Sequence, residues 1–269
     1  MRLHHPQLFT KMHALGNDFV VMSALQTPIY LTEAAIKKLA DRHTGIGFDQ
    51  LFIIEHSKEA DFFCRIFNAD GSEAFQCGNG LRCIARFVHE NGLITSATFS
   101  IATKAGVFPV SIKDYDHISI RIPVETAVAT TVITLNDEPL TLYTVSLGNP
   151  HAILKIDNLA AFAEADFAQK GQAISTHTQF KDGVNVGFMQ VLDRQHIALR
   201  TYERGAGLTQ ACGSNACAAA LVSMANDWVD RKVAILFPRG KLQMARADRD
   251  DAIIMTGPAV SVFAGSVLQ

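Results

Sequence analysis

The amino-acid sequence predicts an α+β fold made of two similar halves, and three observations carry that prediction. One stretch occurs twice: Arg65-Ile-Phe-Asn68 leads to Cys77-Gly78-Asn79, and Arg200-Thr-Tyr-Glu203 leads to Cys212-Gly213-Ser214. The offset is 135 at Arg65/Arg200, Phe67/Tyr202, Asn68/Glu203, Cys77/Cys212 and Gly78/Gly213, about half of the 269 residues. A second pair of turns, Gly16-Asn17-Asp18 and Gly148-Asn149-Pro150, follows at an offset of 132, a drift that changes in loop length explain. Finally, each half reads as many short strands and few helices, which favours an α+β arrangement over a doubly wound parallel sheet.

The elements follow in order. Leu8 to Leu15 and Phe19 to Ser23 read as strands around the first Gly-Asn-Asp turn. Thr32 to His43 reads as a helix with Ile36, Leu39 and Ala40 on one face. Leu51 to Glu55 and Asp61 to Asn68 are strands. A helix follows Cys77, with Leu81, Ile84, Ala85 and Val88 at helical spacing and Gly92 as its stop. Ala97 to Ala102 and Val107 to Ile112 form a hairpin, and His117 to Pro123 closes the first half. In the second half, Thr141 to Leu147 is a strand and Leu159 to Lys170 a helix. Val184 to Val191 and His196 to Tyr202 are strands. An alanine-rich helix follows Cys212, and strands resume at Val233 to Phe237, Lys241 to Ala245 and Ala252 to Met255. The boundary between halves is expected near Val124, giving domains 1–124 and 125–259.

Composition narrows the function. Hydrophobic residues make up 48% and charged residues 19%, enough for a large core. The formal net charge of −2 carries no basic footprint for nucleic acid or an anionic membrane. The apolar runs are too short to span a bilayer, and the first residues lack the apolar core of a secretion signal. A cytoplasmic protein is expected. Five cysteines are an odd number without the spacing of a disulfide framework. Cys77/Cys83 and Cys212/Cys217 are six and five residues apart. On helices opened by the first of each pair, the second points roughly 120–140° away. No metal site is therefore expected, and Cys64, Cys83 and Cys217 read as small core residues.

The chemistry concentrates at the two Cys-Gly motifs. A cysteine at the mouth of a helix meets unpaired backbone N–H groups and the positive end of the macrodipole, which favour the thiolate. The following glycine lets a ligand approach the backbone, and the same N–H groups suit a carboxylate. Two such thiols facing one carbon across a cleft could remove a proton from one side and return one to the other. Asn17, Gln50, Asn68, Asn79, Asn149 and Asn185 lie in or beside Gly-rich turns, a neutral lining that suits a zwitterion. Glu203-Arg204 breaks the internal symmetry, since Asn68-Ala69 occupies those positions in the first half. Arg204 could take a second carboxylate and Glu203 an ammonium group. His151 could tune a thiol's protonation.

Taken together, the chain resembles the diaminopimelate epimerases, amino acid epimerases that use no cofactor. The resemblance runs through Lys11 to Phe19, Asp41 to Gln50, Arg65 to Cys83, Gly148 to His151, Asp182 to Val186 and Glu203 to Cys217. It implies two pseudo-symmetric α/β domains, each a strongly curved, mostly antiparallel sheet around a central helix, with the site in the cleft between them. It also implies a homodimer with Phe263 at the contact, and a tail, 260–269, that returns to the first domain. By position, Cys212 would take the α-proton of the LL isomer and Cys77 would return one, the roles exchanging in reverse. The resemblance implies that Gly78, Asn79, Gly213 and Ser214 hold the reacting carboxylate. It assigns Asn17, Gln50, Asn68, Asn149, Asn185, Glu203 and Arg204 to the rest of the substrate, and His151 and Glu203 to adjusting the thiols. No cofactor is implied.

Two departures stand out: Leu208 where many relatives have Glu, and Asn215 where they usually have Gly. Because Asn tolerates positive φ, the turn at 215 is expected to be intact. A proline-type racemase and a non-enzymatic binding module are the rival readings. Glu203-Arg204 speaks against the first and the retained Cys-Gly pair against the second.

Overall fold

The computed structural model describes residues 6–75, 77–247 and 251–267. The chain divides into two compact units, one running through Ile120 and taking in the chain from Gly257 onward, the other Arg121–Thr256. Four α-helices lie among the described residues, and strands dominate.

The first unit contains β1 (Gln7–Ala14), β2 (Asn17–Ser23), α1 (Glu33–Ala40), β3 (Gln50–Glu55), β4 (Phe62–Asn68), β5 (Glu73–Ala74), α2 (Gly78–Glu90), β6 (Thr98–Thr103) and β7 (Gly106–Asp114). The division falls within β8 (His117–Pro123). The second unit continues with β9 (Ala129–Leu135), β10 (Glu138–Ser146), β11 (Pro150–Lys155), α3 (Glu164–Ser175), β12 (Asn185–Asp193), β13 (His196–Glu203) and β14 (Gly207–Thr209). It ends with α4 (Gly213–Ala225), β15 (Lys232–Phe237), β16 (Gly240–Arg246) and β17 (Ala252–Gly257). The last strand, β18 (Val260–Val267), belongs to the first unit.

Strand pairing shows the duplication directly. In the first unit β18, β1 and β2 run antiparallel, β2–β3 is parallel, β3–β4 antiparallel, β4–β6 parallel, and β6, β7 and β8 antiparallel. In the second unit β9–β10–β11, β11–β12, β12–β13, β13–β15 and β15–β16–β17 repeat that sequence of directions. Even the small hooks correspond: β5 pairs with β4 as β14 pairs with β13. One element is displaced. The second unit takes its first strand, β9, from the chain just before β10, whereas the first unit takes the equivalent strand, β18, from the far end. Residues 268 and 269 of the expected tail lie outside the described residues.

Each sheet wraps one helix and carries a second on its other face. The wrapped helix α2 touches β1, β2, β3, β7 and β18, and α4 touches β10 to β13, β15 and β16. Ile36 and Ala40 of α1 pack with Val20, Leu51 and Phe67, and Phe167 and Ile174 of α3 with Leu154, Val186 and Phe188. Burial of these side chains stabilises each layer by about 1.5–3 kcal/mol per large apolar residue.

Two helices depart from the sequence reading. The expected helix to His43 stops at Ala40, because the Asp41 carboxylate accepts from the backbone N–H groups of His43 and Thr44 and from the Thr44 hydroxyl. The expected helix from Leu159 to Lys170 is a 3₁₀ turn, Leu159–Ala161, capped by Asn158, followed by α3. The Asp166 carboxylate accepts from the Ala163 N–H at 2.8 Å and sets the later start. Asn215 is also corrected. It is not a positive-φ turn residue but the third residue of α4, with its side chain fully buried.

Candidate active site

In the first unit, Cys77 is the N-cap of the thirteen-residue helix α2, in extended backbone, and its Sγ accepts from the Gly80 N–H at 3.3 Å. A thiol at this position stands against the helix's unpaired donors. The helix enters so tightly that a Cβ on Gly80 would lie 2.1 Å from the Phe52 ring, so only glycine fits there. Around it, the Asn79 carboxamide donates to Asn17 Oδ1 at 3.4 Å. Gln50 donates to Asn68 Oδ1 at 2.9 Å across the β3–β4 pair, and Asn68 donates to the Ser72 hydroxyl. Asn17 in turn donates to Asp49 Oδ2 at 2.7 Å.

Behind these amides lies an ionic cluster the sequence reading did not single out. Asp18 accepts from both terminal nitrogens of Arg42 and from Lys11, Arg42 reaches Asp49, and Lys11 donates to the Gly47 carbonyl. Burial pushes the Asp18 pKa up, but hydrogen bonds from Arg42 and Lys11 outweigh it and hold the carboxyl below its usual range. Burial, reinforced by the Asp18 charge, leaves Asp49 raised. The signal was available: all four residues lie beside the assigned amides, within Lys11 to Phe19 and Asp41 to Gln50.

In the second unit, Cys212 is the N-cap of α4, also thirteen residues, and its Sγ lies 3.4 Å from the Ser214 hydroxyl. Unlike half-buried Cys77, Cys212 is buried. Burial pushes its thiol pKa well up, and the Glu203 carboxylate adds to this by charge and hydrogen bonding. Ser214 and the Asn215 N–H pull the other way. Glu203 accepts from the Thr209 hydroxyl at 2.6 Å, a partner absent from the sequence reading. Arg204 donates its backbone N–H to Asn185 Oδ1 at 3.0 Å and its guanidinium to the Asp182 carbonyl at 2.6 Å.

His151 is buried on β11, next to Asn185 in the parallel ladder with β12, and its Nε2 is 2.9 Å from Asn149 Oδ1. Burial pushes its pKa down to about 4; the neighbouring Asn215 side chain opposes the shift and the Arg204 charge adds to it. The ring is thus neutral near pH 7. Leu208, the other departure, pairs with Tyr202 and packs against the apolar cluster beneath α3. Cys64, Cys83 and Cys217 are all buried. Phe263 is half exposed, paired with Lys11 across β1–β18 and edge-on to Phe9 at 6.0 Å.

The family model described as diaminopimelate epimerase matches residues 9–132 and 143–262. The chain is 42% identical over 273 aligned positions to "Diaminopimelate epimerase" of Ectopseudomonas mendocina, covering 96% of this chain and 98% of that one. The same identity and coverage hold for "Diaminopimelate epimerase" of Azotobacter vinelandii. Among solved structures, a hydroxyproline epimerase from Agrobacterium vitis aligns with a TM-score of 0.76 at 14% identity, over 99% of this chain and 92% of that one. A phenazine biosynthesis protein of the PhzF family from Bacillus anthracis aligns at 0.74 and 18%, over 98% and 100%. These last two likenesses show the fold alone. The matched sequence takes in both Cys-Gly motifs and every residue from Asn17 to Ser214 assigned above to the reacting centre, and the chain belongs to the diaminopimelate epimerase family.

Proposed function

We propose that the protein converts LL-2,6-diaminopimelate to the meso isomer by a two-base reaction that uses thiols and no cofactor. The observation that carries this reading is the placement of one cysteine as N-cap of the wrapped helix in each duplicated unit. One thiolate removes the α-proton, the other thiol returns a proton to the opposite face, and the roles exchange in the reverse direction. By family position Cys212 acts as base toward the LL isomer. The N–H groups of Gly78–Asn79 and of Gly213–Ser214 are the proposed donors to the carboxylate at the reacting centre, where negative charge grows as the proton leaves. Asn17, Gln50, Asn68, Asn149 and Asn185 bind the remaining polar atoms. Glu203 and Arg204 recognise the distal ammonium and carboxylate, with His151 and Glu203 adjusting the thiols. The product would serve lysine and peptidoglycan precursor synthesis in the cytoplasm.

We also propose a homodimer through the face of β1 and β18, where Leu8, Val262 and Phe263 are 72%, 54% and 50% exposed.

The test is an assay of inversion with LL-diaminopimelate and L-proline side by side, for the wild type and for Cys77→Ala and Cys212→Ala. The expected result is inversion of the first substrate only, deuterium at the product α-carbon in heavy water, and no net inversion by either variant. Full activity in both variants, or inversion of proline instead, would sink the reading.

A further inference from the structure

Among the described residues, Arg82 is the largest fully buried side chain. It lies on α2 five residues after Cys77, on the face otherwise given to the core. Its guanidinium donates to the Asn79 carboxamide oxygen at 3.0 Å, to the Pro258 carbonyl at 3.2 Å and to the Gly78 carbonyl at 3.5 Å. Two of these partners, Gly78 and Asn79, belong to the first turn of α2, immediately after Cys77, so the fixed positive charge is tied to the turn that Cys77 caps. Burying a guanidinium is costly, and no role assigned above uses it.

The duplication supplies the comparison. The repeat position of Arg82 in the second unit is Cys217, a buried residue with no fixed charge. The repeat position of Asn68 is Glu203, whose carboxylate faces Cys212. Two equivalent helix mouths have therefore been given opposite charges, a cation at the first and an anion at the second. Around that mouth, Cys64 on β4 is pushed up by burial and by the charges at Cys77 and Glu55, and Cys83 on α2 is pushed up by burial, so both are neutral thiols; Arg86, on the same helix, is paired with Glu90. By Asn215 of α4, His151 is neutral, and the Arg204 guanidinium next to Glu203 is turned to the Asp182 carbonyl.

We infer that Arg82 is a positioning residue for charge, holding Cys77 as the thiolate in the resting enzyme while Glu203 keeps Cys212 protonated. The inference rests on the epimerase reading for its consequence but not for its test. Under the family assignment of Cys212 as base toward the LL isomer, the form that accepts LL substrate is then the minority protonation state. Protons must redistribute between the thiols before that turnover begins.

The test is site-resolved alkylation of the reduced, full-length protein by iodoacetamide without substrate, followed by peptide mass spectrometry from about pH 5 to about pH 10. The thiolate sulfur attacks the methylene carbon and iodide leaves, so the inflection of each rate against pH reads the ionisation of each cysteine, independent of its exposure. In the wild type Cys77 should inflect below the ordinary thiol value of about 8.5 and Cys212 above it. Arg82→Met should raise the Cys77 inflection by a unit or more, leaving about tenfold fewer thiolates at neutral pH, while Arg82→Lys preserves it. Alkylation of buried Cys83 reports local unfolding and separates a structural defect from an electrostatic one. A wild type in which Cys212 ionises before Cys77, or a folded Arg82→Met protein with an unmoved Cys77 inflection, overturns the inference. Where Arg82→Met does not fold, a wild type in which Cys77 fails to ionise before Cys212 still overturns the inference, and a shifted inflection in Arg82→Gln supports it. A protein that alkylates as expected yet leaves LL-diaminopimelate unchanged would sink the epimerase reading instead.

Discussion

Asn215 packs over Gly187, with its Oδ1 2.9 Å from where a Gly187 Cβ would stand. At the same two positions of the other unit, Gly80 packs under the Phe52 ring. The large and small partners have changed places between the repeats, so each helix mouth sits close to its sheet with a different residue yielding. Asn215 also donates to the Val186 carbonyl at 2.9 Å. This accounts for an asparagine at the position where the family resemblance leads to the expectation of glycine.

The pair should therefore behave as coupled. Asn215→Gly forfeits a buried hydrogen bond and leaves a void, and Gly187→Ala pushes a methyl group toward Asn215 and the Ile153 side chain. Each should cost about 1–3 kcal/mol. The double variant should cost less than the sum by roughly 1 kcal/mol. Urea midpoints for the four proteins measure it, and strict additivity would refute the packing argument.

Asn17 is anchored by Asp49, which Arg42 ties to Asp18. Removing the anchor should loosen the substrate contact proposed for Asn17 without touching either thiol. Asp49→Ala is expected to raise KM for LL-diaminopimelate by about tenfold with kcat nearly kept, the pattern of lost uniform binding. Steady-state kinetics decide; a fall in kcat at constant KM would assign Asp49 a different part.

How much was legible follows from what each segment must do. The duplication was visible at Cys77 and Cys212 because the requirements of a helix mouth leave little freedom there, whereas the surrounding strands tolerate many apolar residues. The wrapped helices were readable for the same reason, since their caps are the catalytic candidates. The tail strand β18 was not readable from its residues, because Val262 and Phe263 are both exposed and blur the alternation a strand reading needs. The start of α3 was missed because Asp166, not the apolar spacing, sets it. The charges behind the site were overlooked because Asp18, Asp49, Arg42 and Lys11 make sense only once β1, β2 and the 41–50 loop come together. Arg82 looked like one polar residue on a helix; only its complete burial gives it weight.

If the β1–β18 face is the dimer contact, Phe263→Asp should dissociate it. Removing a buried phenylalanine costs roughly 1.5–3 kcal/mol per copy, and twofold symmetry applies the loss twice. The dissociation constant should rise by more than about 100-fold. Sedimentation velocity on wild type and variant gives the answer, with circular dichroism showing that β18 still pairs. An unchanged dimer would move the contact elsewhere.

His151 should make the protein less stable in mild acid in a way that one substitution removes. An unfolded histidine takes a proton below about pH 6.5, but burial holds this ring neutral down to about 4. Between those values the unfolded chain binds more protons than the folded one, so stability falls as pH falls through that window and is unaffected above it. The full loss is roughly 3 kcal/mol, complete near pH 4. The depressed carboxylates, Asp18 among them, add their own losses in acid, so the comparison must be between proteins. His151→Gln keeps a polar group against Asn149 but cannot take up a proton. Its unfolding free energy should decline less steeply than wild type between about pH 6.5 and 4, and converge on the same slope above neutrality. Parallel curves for the two proteins across that window would mean the imidazole is already charged in the fold, and that Asn149 and Asn215 hold a cation rather than a neutral ring.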